Sequence, residues 1–280
     1  MMNSANKNNK PTIIISAVLS GIFLSIFLSA CANSPATFIM PYQLFTDHMV
    51  LQANAQIKIW GKATPNGEVT VRFRDQHIST FAGTDSVWQV QLDSLSYGGP
   101  DPLYLIGKDT LTLIDVLVGE VWICSGQSNM DMPLGGWGRV LEFEQEIAEA
   151  NDPHIRLFKV ERTMAARPLS DLSSAGWQVC SPQSVGPFSA VAYFFARSLQ
   201  KEINYPVGLI QTAWGGSPVE SWMSREAIVQ SAQFQQELLQ VDTSNKSADE
   251  KIEKEYKANL DKVIEEMYAT DPCAKGGFAA

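Results

Sequence analysis

The stretch GEVWICSGQSNMDMP, residues 119–133, is where the pattern of the chain changes. Val121 to Cys124 is a short apolar run that reads as a buried strand. Ser128 follows four residues after Cys124, framed by Gly126, Gln127 and Asn129. Upstream, between Leu44 and Val118, the runs IKIWGKA, VTVRF, VWQVQL and LTLIDVLV are separated by the turn signals TPNGE and YGGPD. That spacing suggests a small β-sandwich or antiparallel sheet. Downstream the rhythm becomes strand and helix in alternation. IRLFKV (155–160) and VGLI (207–210) read as strands, and Ala190 to Ile203 places Val191, Phe194, Phe195, Leu199 and Ile203 at helical spacing. Alternation of this kind predicts a parallel sheet covered by helices, with ligands bound beyond the carboxyl ends of its strands.

Two segments fall at that edge. Ser128 lies on the turn out of its strand, where a serine serves either as a helix cap or as a nucleophile. Met130 occupies the place where the nucleophile elbow of α/β-hydrolases needs glycine, so this is not that elbow. The second segment, QTAWGGSPVE (211–220), follows strand 207–210 in the same way. Ser217 is expected to cap a helix, with Pro218 at its first position and Glu220 completing a capping box. Gly215 and Gly216 then either present backbone N–H groups to an oxyanion or simply form a tight turn.

The chain has 280 residues and a formal net charge of -9, room for one large or two ordinary domains. Such an acidic surface argues against nucleic acid or an anionic membrane surface as partner. At the N-terminus, Lys7 and Lys10 precede an apolar run from Ile13 to Phe27 and then LSAC at 28–31, the order of an export signal. Leu-Ser-Ala-Cys resembles a bacterial lipoprotein signal, which implies cleavage after residue 30, lipidation of Cys31 and, with Ala32 next, outer-membrane sorting; an ordinary transmembrane anchor over Ile13 to Ala30 is the alternative. Cys124, Cys180 and Cys273 form no Cys-x-x-Cys pair, and the three histidines are too dispersed to suggest a zinc cluster. No metal or organic cofactor is implied.

GEVWICSGQSNM closely resembles the first block of the SGNH-hydrolase superfamily, in particular the sialate O-acetylesterase family. LFTDHMVLQ and IKIWGKA look like that family's N-terminal β-domain, and PFSAVAYFFARSL and PVGLIQTAWGGSPVESWMS like its next two blocks. The resemblance implies a small β-sandwich-like domain (31–117), then a partial three-layer α/β/α hydrolase domain with a parallel sheet (118–224), then a helical insertion and tail (225–280). It makes Ser128 the nucleophile, gives the oxyanion the N–H of Ser128 with that of Gly215 or Gly216, and makes Gln127 and Asn129 supports of the serine turn. The substrate it implies is an acetylated sugar, above all O-acetylated sialic acid. Acetylated plant polysaccharide is the alternative, since the serine block is shared across several such families.

The match stops before the family's Gln-Gly-Glu block and its Asp-x-x-His block, which supplies the base. Neither pattern occurs here; the nearest are DQH (75–77) and DPH (152–154), each one residue short. His48 follows an aspartate, His77 is read in a polar turn, and His154 stands at the start of strand 155–160, the wrong place in the family's order. Ser224 is expected to cap a helix to about Leu239, and a second helix is expected from Ala248 to Tyr268. These features predict a C-terminally truncated member. Two functions follow: a serine carbohydrate O-acetylesterase whose base lies elsewhere, or a non-catalytic surface lipoprotein that keeps the fold and sugar binding.

Overall fold

The structure, a computed structural model, describes residues 37–138, 140–165 and 168–231, with Phe234, Lys251 and Lys254. The export signal, Cys31, the second predicted helix and Cys273 lie outside the described residues. Eight strands come first: β1 (Ile39–Pro41), β2 (Val50–Gln52), β3 (Ile57–Ala63), β4 (Glu68–Phe73), β5 (Gln76–Phe81), β6 (Val87–Leu92), β7 (Gly98–Ile106) and β8 (Thr110–Gly126). Alternation fixes their faces. Ile57, Ile59 and Ala63 of β3 point inward, as do Val69, Val71 and Phe73 of β4 and Trp88, Val90 and Leu92 of β6, the period of two that a half-buried strand requires. The sheet β1-β3-β6 and the strands β7-β4-β5 share this apolar interior. His77 lies on β5, opposite Arg72 of β4, rather than in the turn before it.

The strand read at 121–124 is the end of the seventeen-residue β8. Its first half pairs antiparallel with β7, and its last seven residues, Glu120–Gly126, pair parallel with β11 (Val207–Ala213). β11 in turn pairs parallel with β9 (Asp152–Val160), and β10 (Ser174–Cys180) runs antiparallel beside β9. A single sheet, β10-β9-β11-β8-β7-β4-β5, therefore runs from the hydrolase-like part into the sandwich, and the expected boundary at 117/118 falls inside β8. The fold is mixed α/β with multistranded sheets, as read from the sequence.

Helix α1 (Ser128–Asp131) follows β8, α2 (Phe143–Glu149) precedes β9, α3 (Ala190–Ile203) precedes β11, and α4 (Arg225–Val229) follows it. α3 has the expected bounds, and Ser189 caps it by accepting from Ala192 N–H. Of the apolar residues read on its face, Phe194, Leu199 and Ile203 pack against the core, but the most buried positions are others. Ala190, Ala192, Tyr193 and Ala196 are buried, whereas Val191 and Phe195 are 44% and 39% exposed. Alanines let the helix axis approach the sheet closely, so the small side chains take the contact. Phe195 instead meets Trp122 of β8 edge-on, ring centroids 4.9 Å apart. Ser224 caps α4 through Ala227 N–H, as expected, but that helix ends at Val229.

Candidate active site

Both predicted segments arrive at the carboxyl ends of parallel strands. Ser128 begins α1, two residues beyond β8, with Gln127 as the N-cap residue. Its hydroxyl donates to Gln127 Oε1 at 3.1 Å. It is therefore no cap, and its side chain is held by the neighbour that the sequence marked as a support. Gly126 has φ +143°, a conformation that lets the chain turn sharply from strand to helix. Among the described residues the Ser128 amide has no hydrogen-bond partner, consistent with the first turn of a helix.

The Gly215–Gly216 turn stands against this serine. A Cβ at Gly215 would lie 3.4 Å from Asp131 Oδ2 and 3.6 Å from Ser128 Cβ, ordinary contact distances that place the turn beside the serine. The Gly215 N–H is occupied: it donates to Asp131 Oδ2 at 3.0 Å. Gly216 (φ +82°) has open space where a side chain would be, and its N–H has no partner among the described residues. Of the two glycines, Gly216 is thus the one with a donor to offer. Ser217 does not cap a helix. Its hydroxyl donates to Trp214 O at 2.7 Å and accepts from Trp222 Nε1 at 2.8 Å, while a single 3₁₀ turn, Val219–Trp222, starts from Pro218 without a side-chain cap. The tight bend at Gly216 turns Ser217 back onto the turn, and the capping box cannot form.

Asp131 was not singled out from the sequence. It lies on the fourth residue of α1, its side chain is 5% exposed, and its Oδ2 also accepts from Arg162 Nη2 at 2.5 Å. Arg162 comes from the loop after β9, and its guanidinium lies 5.8 Å from the centre of the Trp214 ring. One carboxylate oxygen therefore ties together the serine helix, the glycine turn and the loop beyond a third strand. The i, i+3 spacing of Ser128 and Asp131, and the position of Arg162 at a strand's carboxyl end, are the signals that could have found them. Desolvation lowers the pKa of nearby Lys159 from the ordinary lysine value. The Asp131 carboxylate opposes that shift, and the Arg162 charge adds to it. A cleft of about 1830 Å³ opens from Trp214–Ser217 past Arg162 to Trp60 and Tyr42 of the β-rich part.

None of the three histidines reaches Ser128. Register places His154 just before Ile155, which is level with Val207 and Glu120, so it lies at the amino-terminal edge of the sheet, opposite to Ser128. Its N–H donates to Asp152 Oδ1. His48 Nδ1 bonds Asp115 Oδ2 at 2.6 Å, and Asp115 also binds Arg156 through Nη1 at 2.6 Å and Nη2 at 3.1 Å. Asp115 stands eleven residues before the end of β8, roughly 35 Å of extended chain. His77 is on β5, the far edge of the sheet. Cys124 is buried at 6% exposure, and burial pushes its thiol up to about 11, so it is a small core residue and no nucleophile. Among the described residues no cluster of groups is arranged to hold a metal ion.

The fold and the serine turn define a mixed α/β scaffold of the carbohydrate-esterase kind, similar to the crystal structure of a carbohydrate acetylesterase from Xanthomonas citri (TM-score 0.65, 34% identity, 68% of this chain and 43% of that one). The chain belongs to the family described as carbohydrate esterase, sialic acid-specific acetylesterase, whose model matches residues 118–269, more than half its length. It is 33% identical over 202 residues to sialate O-acetylesterase of Rattus norvegicus (65% of this chain, 37% of that protein) and 30% identical over 237 residues to that of Homo sapiens (77% and 44%). The chain thus spans less than half the length of these relatives.

Proposed function

We propose that this chain carries the nucleophile and oxyanion side of a carbohydrate O-acetylesterase acting on O-acetylated sialic acid. The observation behind this reading is Ser128 set against the Gly215–Gly216 turn at the carboxyl edge of parallel strands, with the Ser128 and Gly216 amides unpartnered among the described residues. Ser128 Oγ would attack the acetyl carbonyl carbon, and the two amides would hold the oxyanion. The sugar hydroxyl leaves with the serine's proton, and water then hydrolyses the acetyl-serine to acetate. Gln127 holds the serine hydroxyl, and Asn129 stands beside it on α1. None of the three histidines stands beside Ser128, so on this reading the proton acceptor is not one of them. That same placement favours a second reading, a sugar-binding lipoprotein without turnover.

Acetate release from O-acetylated N-acetylneuraminic acid and from acetylated xylan, by the chain and by Ser128→Ala, tests the reading. Release from the sialate that is lost in Ser128→Ala supports it; equal release by both proteins sinks it. Cleavage after residue 30 and lipid attachment at Cys31, with sorting to the outer membrane, completes the proposal. It rests on the LSAC sequence and is checked by incorporation of labelled palmitate, which Cys31→Ser should abolish.

A further inference from the structure

Arg162 has more donors than its structural partner uses. Nη2 is spent on Asp131, and among the described residues neither Nη1 nor Nε has a partner. The side chain is 51% exposed although the carboxylate that holds it is 5% exposed, so the guanidinium is held at one nitrogen while it lines the cleft. A planar guanidinium held at one nitrogen keeps further donors for a carboxylate and has less side-chain freedom left to lose when one binds. Two carboxylates that line the same cleft are already engaged. Glu161 Oε2 accepts from Ser173 Oγ at 2.5 Å, and Asp171 accepts from the Gln43 and Leu172 amides. Arg162 and the Gly215 amide share a single oxygen of Asp131, which places the cation beside the serine turn. A sugar whose acetyl ester lay on Ser128 would bring its remaining substituents along the wall that Arg162 and Trp214 form.

We propose that Arg162 is the anchor for the carboxylate of an acidic sugar, so that this cleft selects sialate-type substrates over neutral acetylated sugars. The inference rests on the esterase reading for the pose of the sugar, but binding needs no catalytic base. The test uses the full chain and two probes that differ by one charge, the methyl glycoside of N-acetylneuraminic acid and the methyl ester of that glycoside, titrated by calorimetry. The acid should bind about tenfold or more tightly than its ester, the scale of a charge-assisted pair, and the difference should shrink as salt is raised. Arg162→Gln should erase the preference. Arg162→Lys, which keeps a cation beside Asp131 and so protects the fold, should leave a reduced one. Equal binding of the two probes by the wild-type chain, or no binding of the acid, overturns the proposal without recourse to any variant. Hydrolysis of an activated acetyl ester is read separately. Loss of Ser128 dependence with the acid preference intact would remove the esterase reading and leave the carboxylate anchor standing.

Discussion

At the scale of single residues, the site is held together by one buried carboxylate, Asp131. Asp131 is buried three residues after Ser128 and accepts from both Arg162 and the Gly215 amide. Asp131→Ala leaves a backbone donor and a guanidinium without their acceptor, at a cost of ~1–3 kcal/mol, read as a lowered midpoint in denaturant unfolding. Asp131→Asn keeps an acceptor for Gly215 while removing the charge, and should recover part of that loss. If the two variants are equally stable, the carboxylate does not hold the glycine turn. The serine and the glycines were legible from sequence because they sit in contiguous runs at strand ends. Asp131 and Arg162 were not, because their partnership spans thirty-one residues and exists only once β9 and β8 are brought into one sheet through β11.

At the scale of elements, the joint between the sandwich and the parallel strands is a charge cluster. Asp115 lies in β8 with a left-handed φ of 57°, and it bonds Arg156 of β9 and His48 of the loop before β2. The Arg156 hydrogen bond, with that of His48 behind it, holds the Asp115 carboxyl below its ordinary value. A depressed carboxylate stabilises the fold above the pKa it has in the unfolded chain, and that stability is lost as pH falls through the folded value. Acid unfolding should therefore steepen below about pH 4, and Asp115→Asn should flatten that limb while lowering stability at neutral pH. An unchanged acid limb would show that the cluster contributes nothing. Packing can be tested in the same way. Leu209 of β11 is fully buried under α3, so Leu209→Ala should cost ~2–5 kcal/mol. The strand pattern was legible here because alternation directly encodes which side is buried. The face of α3 was legible only in part: Phe194, Leu199 and Ile203 pack inward, while the closest contact is made by alanines, which carry a weak hydrophobic signal.

At the scale of the whole molecule, the last seven residues of β8 pair with β11 on one side, and among the described residues nothing pairs their other side. Ile123 on that segment is 71% exposed. An open edge beside exposed apolar side chains favours self-association. Ile123→Lys should raise the monomer fraction in sedimentation velocity, whereas an unaltered distribution would place any association elsewhere. The same arrangement gives the molecule its central property: a serine and a glycine turn brought together without a histidine beside them. The most direct test is the pH–rate profile for hydrolysis of an activated acetyl ester by the chain and by Ser128→Ala. The prediction is a slow reaction that depends on Ser128, roughly a thousandfold or more below a complete triad, with a rate that rises with hydroxide and shows no inflection near pH 6.5. A fast reaction with a histidine-like inflection, or a rate indifferent to Ser128→Ala, would contradict it.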